Sequence, residues 1–271
     1  MPFTFSEGIE YFYFDGLHAA GLSHGIFTRR GGVSPEPWGS LNAGSMVGDS
    51  PDRVAENLRR ACRALSRDPG GLRLVRQVHG NDVFVASGAA GEPVSFAERL
   101  RPETMPGADA IITDSPAVTP AMRFADCVPI LLYDPVAGAA GIAHAGWRGT
   151  LLDVAGRTLA VMRQQFGTDP ADVVAGIGPC ICAGHYEVGP EVVAEVEKIF
   201  GEGSDEVIVS DDGRTFFDLK AANRMLLAAA GVASVEVADS CTVEEPARWF
   251  SHRGESGKTG RFAVLAGLSG G

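Results

Sequence analysis

AIITDSPAVTPAMRFADCVPILLYDPVAGAAGIAHAGWRG, residues 110–149, decides the fold. Its apolar runs at 110–113, 120–124, 128–133 and 141–144 have strand length. Several are apolar at consecutive positions, so both faces need cover, and a sheet with one wet face is excluded.

Working outward, the chain predicts more strands upstream, at 72–78 and 82–86. Downstream, Leu152, Ala155, Leu159, Met162 and Phe166 repeat at helical spacing, and Gly167 closes a helix predicted over 150–166. A strand at 173–177, helices at 190–200 and 219–230, the latter ended by Gly231, and a strand at 234–238 follow. Toward the N-terminus, Ser50 is a candidate N-cap, Pro51 takes the first helical position, and Val54, Leu58, Cys62 and Leu65 supply the stripe. Asp68-Pro69-Gly70-Gly71 stops that helix, and extended segments at 11–14 and 22–27 run into the glycine turn of Arg29-Arg30-Gly31-Gly32-Val33-Ser34. Strands and helices do not alternate regularly, which points to an α+β fold, with mixed β-sheets covered by helices in an α/β/β/α layering. With no repeat or linker, and 87–105 read as a surface excursion, residues 1–271 are expected to form one domain.

Composition narrows the function classes. A 45% apolar share supports a large core, and the formal charge of -11 opposes nucleic-acid and anionic-membrane partners. The N-terminal residues lack the pattern of a signal peptide, and no apolar run reaches spanning length, so a cytoplasmic protein is expected. The five cysteines, an odd number, do not suggest a disulfide framework. Cys180 and Cys182 are too close in sequence for the usual zinc clip and read as ordinary thiols.

Gln77-Val78-His79-Gly80, Ala125-Asp126-Cys127-Val128-Pro129 and His144-Ala145-Gly146-Trp147-Arg148-Gly149 each put a metal-competent side chain at a strand end beside turn residues. Catalytic zinc commonly takes three protein ligands and leaves a fourth position for water or substrate. His79, Cys127 and His144 could supply those three. Taken singly, each also reads as a strand-end histidine or a packed thiol.

Together with Ile177-Gly178-Pro179-Cys180-Ile181, these motifs resemble the successive signatures of the laccase-domain family, also called YfiH-like proteins, purine nucleoside phosphorylases or peptidoglycan editing factors. The resemblance extends through Phe27-Thr28-Arg29, Gly31-Gly32-Val33-Ser34, Ser40-Leu41-Asn42, the 217–223 stretch, Ser251-His252-Arg253 and Thr259-Gly260-Arg261. It implies zinc at His79, Cys127 and His144, a purine-nucleoside pocket beside it, and phosphorolysis of adenosine, inosine and methylthioadenosine, with adenosine deamination also attributed to the family. His185, at a position variable in the pattern, is not assigned as a ligand.

Deamination would need an acid near the metal, for which Asp126 is the candidate, although an N-cap or outer-partner role fits it equally. Phosphorolysis instead needs inorganic phosphate held against the sugar, and arginine offers a planar fork for its oxygens. Arg148, beside His144, is the first choice, with Arg29, Arg30, Asn42 and Arg253 as further substrate-binding candidates. A blue-copper and trinuclear oxidase needs about ten histidines, and the chain has six, with no His-x-His pair, so a conventional laccase is excluded. A single copper in the zinc position would give a simpler polyphenol oxidase. An amidase editing peptidoglycan precursors would use the metal, or Cys127 as nucleophile with a histidine base.

Overall fold

The computed structural model describes residues 2–88 and 96–269. The chain begins with β1 (Phe3–Ser6), β2 (Ile9–Phe12), α1 (Asp15–Ala19) and β3 (Leu22–Phe27), then forms α2 (Pro51–Ala64), β4 (Leu72–Leu74) and β5 (Val83–Val85). Next come α3 (Phe96–Arg99), β6 (Ala110–Thr113), β7 (Thr119–Phe124), β8 (Val128–Asp134), β9 (Ala139–Ala145), α4 (Trp147–Leu151) and α5 (Val154–Phe166). The order closes with β10 (Val174–Ile177), α6 (Pro190–Phe200), the pair β11 (Ile208–Asp211) and β12 (Arg214–Phe217), α7 (Leu219–Ala229), β13 (Ser234–Val237) and β14 (Phe262–Leu268).

Two six-stranded sheets form, ordered β1-β2-β3-β14-β7-β4 and β13-β10-β8-β9-β6-β5. Both are mixed: β4 runs parallel to β7 while β14 runs antiparallel to it, and β5 runs parallel to β6 while β9 runs antiparallel. The two-residue period of a strand divides their side chains among three apolar layers. Met122 and Val264 of the first sheet meet Ile111, Leu131 and Ile142 of the second in the central layer. Their chain neighbours point the other way. Ala121 and Leu265 pack with Val54 and Leu58 of α2, while Ile112, Ile130 and Leu132 pack with Leu159 and Met162 of α5. The α+β reading and its α/β/β/α layering therefore hold, and the doubly apolar runs are the strands that face two layers at once.

Local departures have local causes. The helix expected over 150–166 breaks at Asp153, which adopts a left-handed φ of 50° while its carboxylate caps Gly156 N–H at 2.9 Å. The strand expected over 72–78 stops at Leu74, because Arg76 N–H bonds Pro106 at 2.8 Å and the following amides turn toward Asp109. Ser50 does occupy the N-cap of α2, but its side chain makes no capping bond. β14, the centre of the first sheet, is not anticipated by the sequence reading. Of the 87–105 excursion, residues 89–95 lie outside the described set, while α3 and a 3-10 turn at Pro102–Thr104 occupy part of the rest.

Candidate metal centre and active site

Cys127 precedes β8, and the β8–β9 register sets Pro129 opposite His144 and Val128 opposite Ala145. The cysteine thus lies beside the C-terminal end of β9. His79 arrives from the turn before β5 with a left-handed φ of 62°. The ligand atoms of His79, Cys127 and His144 all lie within 4.8 Å of one another, and the two imidazole centroids are 5.0 Å apart. Gly146 makes room for them, since a Cβ there would stand 2.9 Å from the Cys127 Sγ and 3.4 Å from His79 Cδ2.

A residue the sequence reading overlooked holds this arrangement together. The fully buried Asp109 carboxylate accepts backbone N–H bonds from Val78 at 3.1 Å, His79 at 2.9 Å and Gly80 at 2.7 Å. It also pairs with His144 Nδ1 at 2.9 Å. With Nδ1 as the donor, the other ring nitrogen is left with a lone pair for a ligand, the usual arrangement of a metal-binding histidine. Burial works against ionisation of Asp109, but the bond from His144 and the amides of Gly80 and Val78 outweigh it and hold the carboxyl below its usual range.

Burial also opposes a thiolate at Cys127, yet the His144 charge and hydrogen bonds from His144 and His79 bring the thiol down. Burial likewise opposes a charged His144, but Cys127 and Asp109 raise it. One sulfur and two nitrogens form a donor set that fits zinc and leaves a fourth position free, and the same set accepts copper.

The trio borders a cleft of about 480 Å³, within the usual range for a small-molecule site. Arg123, Arg148, Arg253 and Arg261 also line it. Among the described residues none of these four makes an ion pair, so a strongly acidic chain concentrates positive charge here. Arg148 lies 4.4 Å over the Trp147 ring, and Arg253 reaches the Glu187 carbonyl at 3.3 Å. Arg123 is buried and bonds Val75 O, while Arg261 caps the Gly260 carbonyl at 2.8 Å. Burial, and then Arg261 nearby, pull Arg123 down to about 10.

The other sequence candidates are placed differently. Asp126 lines the cleft, but its carboxylate oxygens accept from Thr242 Oγ1 at 2.6 Å and Arg253 N at 2.6 Å, bracing two loops. Asn42 is buried behind the wall, bonding Gly44 N at 2.8 Å and Arg261 N at 2.8 Å, both residues that line the cleft. Arg29 and Arg30 face a separate hollow. Arg29 is held there by Gly39 O at 2.8 Å, Pro246 O at 2.9 Å and Glu255 at 3.0 Å. Arg30 bonds Ala247 O at 2.8 Å. Arg123 and Arg261 were not singled out by sequence reasoning, although Arg261 stands in one of the quoted motifs.

The sequence profile of the family described as multi-copper polyphenol oxidoreductase laccase matches residues 23–269. A purine nucleoside phosphorylase of Deinococcus radiodurans is 38% identical over 247 residues, covering 91% of this chain and 89% of that protein. Purine nucleoside phosphorylase YlmD of Geobacillus stearothermophilus is 37% identical over 253 residues, covering 92% and 90%. The crystal structure of the Bacillus licheniformis hypothetical protein YfiH superposes with a TM-score of 0.89 at 32% identity, covering 99% of both chains. That of YlmD from Geobacillus stearothermophilus gives 0.87 at 33% identity over 98% of both. With that match over most of its length, and with His79, Cys127 and His144 gathered where the family motifs converge, the chain belongs to the laccase-domain, YfiH-like family.

Proposed function

We propose that this chain is a single-domain, zinc-dependent purine nucleoside phosphorylase acting on adenosine, inosine and methylthioadenosine. The observation that supports it most is the meeting, in one cleft, of a three-residue metal-ligand set and four arginines that form no ion pair among the described residues. Phosphate and a neutral nucleoside are the substrates such a cleft suits, because guanidinium forks match phosphate oxygens and apolar walls accept a flat base. The relatives named purine nucleoside phosphorylase point the same way.

In this reading a phosphate oxygen forms the new bond to C1′ as the C1′–N bond breaks, and the electron pair leaves on the base, which takes a proton at nitrogen. Arg148 and Arg253, at the solvent side, receive and orient the phosphate, while Arg123 and Arg261 lower its charge from below. Tyr186 and Trp147 flank the base. When bound, zinc held by His79, Cys127 and His144 supplies a Lewis acid, and adenosine deamination is assigned to the same centre. The reaction on inosine decides the matter: ribose 1-phosphate should form only with inorganic phosphate, and free ribose at an unchanged rate without phosphate would make the enzyme a hydrolase.

A second reading has its own observation. Cys127, His144 and Asp109 line up as nucleophile, base and orienting carboxylate, the order of a cysteine hydrolase such as an amidase of peptidoglycan precursors. In that reading a covalent adduct on Cys127 accumulates with substrate.

A further inference from the structure

Beside the cleft, two loops run together. The backbones of Cys180 and Cys241, both free thiols, pair as an isolated parallel β-bridge, and Thr242 N–H bonds Cys180 O at 3.0 Å. From that crossing each loop makes a tight turn: His185 N–H returns to Cys182 O at 3.1 Å, and Glu245 N–H returns to Cys241 O at 3.1 Å. The turns set Cys182 three residues before His185 and Cys241 three before Glu244. Their four side chains meet, with ligand atoms all within 4.8 Å of one another. Cys180, two residues before Cys182, is turned away and fully buried, its thiol bonding Ile181 O at 3.3 Å.

We infer that Cys182, His185, Cys241 and Glu244 form a second, structural zinc site, with a closed shell of two thiolates, one imidazole and one carboxylate. The spacings carry the argument. Tetrahedral zinc, with bonds of about 2.3 Å to sulfur and about 2.0–2.2 Å to nitrogen and oxygen, sets its ligand atoms about 3.3–3.8 Å apart. Cys182 Sγ lies 3.2 Å from His185 Nδ1 and 3.6 Å from Glu244 Oε1, His185 Nδ1 lies 3.4 Å from Glu244 Oε1, and Cys241 Sγ lies 3.9 Å from His185 Nδ1. Cys182 N–H also donates to Cys241 Sγ at 3.3 Å, a bond that strengthens when the sulfur is a thiolate. Three groups that are anionic when deprotonated converge here, and among the described residues no lysine or arginine ion-pairs with Glu244. A cation completes them.

Four protein ligands leave no open position, so this ion has a structural task. Tyr186 N–H bonds Cys182 O at 3.1 Å, and Ile181 and Tyr186 line the cleft. The ion staples that wall to the 241–244 loop, whose Thr242 holds Asp126 at 2.6 Å. The site uses none of the residues of the first centre, so its failure and that of the proposed function are separable.

Cobalt titration of the full-length, reduced Cys127→Ser protein is the test, because that change removes the thiolate of the first centre. The protein should still show intense thiolate-to-cobalt absorption at a saturating single equivalent; adding Cys182→Ser should cut the absorption per bound ion by about half, and adding Cys241→Ser as well should abolish it. Glu244→Ala, at an exposed side chain, keeps both thiols and should weaken cobalt retention by at least the roughly tenfold cost of losing an outer partner. Circular dichroism without metal should be unchanged in each variant. Absence of thiolate-to-cobalt absorption in folded Cys127→Ser, absorption indifferent to Cys182, or a Cys182–Cys241 disulfide whose reduction restores no metal uptake would each overturn the assignment.

Discussion

Asp109 Oδ1 stands 2.9 Å from His144 Nδ1 and, from the same atom, 2.9 Å from the His79 amide nitrogen. One carboxylate oxygen therefore orients one ligand by its ring and the other by its backbone. Asp109→Asn replaces one oxygen with an amide NH2 and turns a donor toward N–H groups. Zinc affinity at this centre, measured by chelator competition, should fall about 10- to 100-fold, whereas His79→Ala and His144→Ala should empty this centre almost entirely and keep the ion held by Cys182, His185, Cys241 and Glu244. Unchanged affinity in Asp109→Asn would remove Asp109 from the centre.

The arginines separate by position. Arg148→Ala removes a charge-assisted contact worth about 1.5–3 kcal/mol, so KM for phosphate should rise roughly tenfold or more while KM for inosine moves little. Arg30→Ala, in the separate hollow, should leave both constants unchanged. Equal effects from the two would show that the phosphate does not lie beside the metal centre.

Cys127 discriminates ligand from nucleophile. An aspartate at 127 can still offer an oxygen to zinc, so Cys127→Asp should keep part of the metal of this centre and a measurable rate, and Cys127→Ala should keep less of both. Inactivity of both variants, with a substrate adduct on the wild-type thiol seen by mass spectrometry, would establish the hydrolase.

Stability below neutrality should depend on His24. It is buried, its Nδ1 donates to Leu22 O at 3.0 Å, and its Nε2 accepts from Phe14 N–H at 2.9 Å, so only the neutral ring satisfies both bonds. Burial pulls it down to about 4, against the Leu22 bond that favours charge and with some help from the His18 charge. The folded value lies below the unfolded one near 6.5, so the contribution is complete above about pH 6.5 and is lost as the pH falls toward 4. That amounts to about 3 kcal/mol. Urea unfolding at pH 7.5 and pH 5 should show a smaller difference for His24→Gln than for the wild type.

Elements were legible where a side-chain period had one physical cause. β8 and β9 read as strands because each must be apolar on two faces, and α6 read correctly because Pro190 and its stripe agree. β14, FAVLAGL, mixes Phe262 and Val264 with three small residues, Ala263, Ala266 and Gly267, of weak strand propensity and shows no alternation, and what makes it a strand is its position between β3 and β7. The metal trio was readable as motifs. Asp109 was not, because its meaning lies in amides some thirty residues away, at 78–80. Arginines beside glycine turns attract attention in a sequence, yet Arg29 spends its donors on carbonyls, while Arg123 sits in a strand and looks structural. The Cys182–His185 pair escaped for the same reason as Asp109: its partners, Cys241 and Glu244, come from another loop.

Between β3 and β7 there is only β14, so the first sheet consists of two halves that share no ladder until residues 262–268 arrive. During synthesis from the N-terminus, β3 and β7 both emerge with a bare row of N–H and C=O groups, and each waits for a strand made long after it. Such rows are templates for any passing extended chain. Both rows therefore stay open to mispairing over that interval, and a message cut short before Phe262 should yield two open edges and a product prone to stick to its own copies.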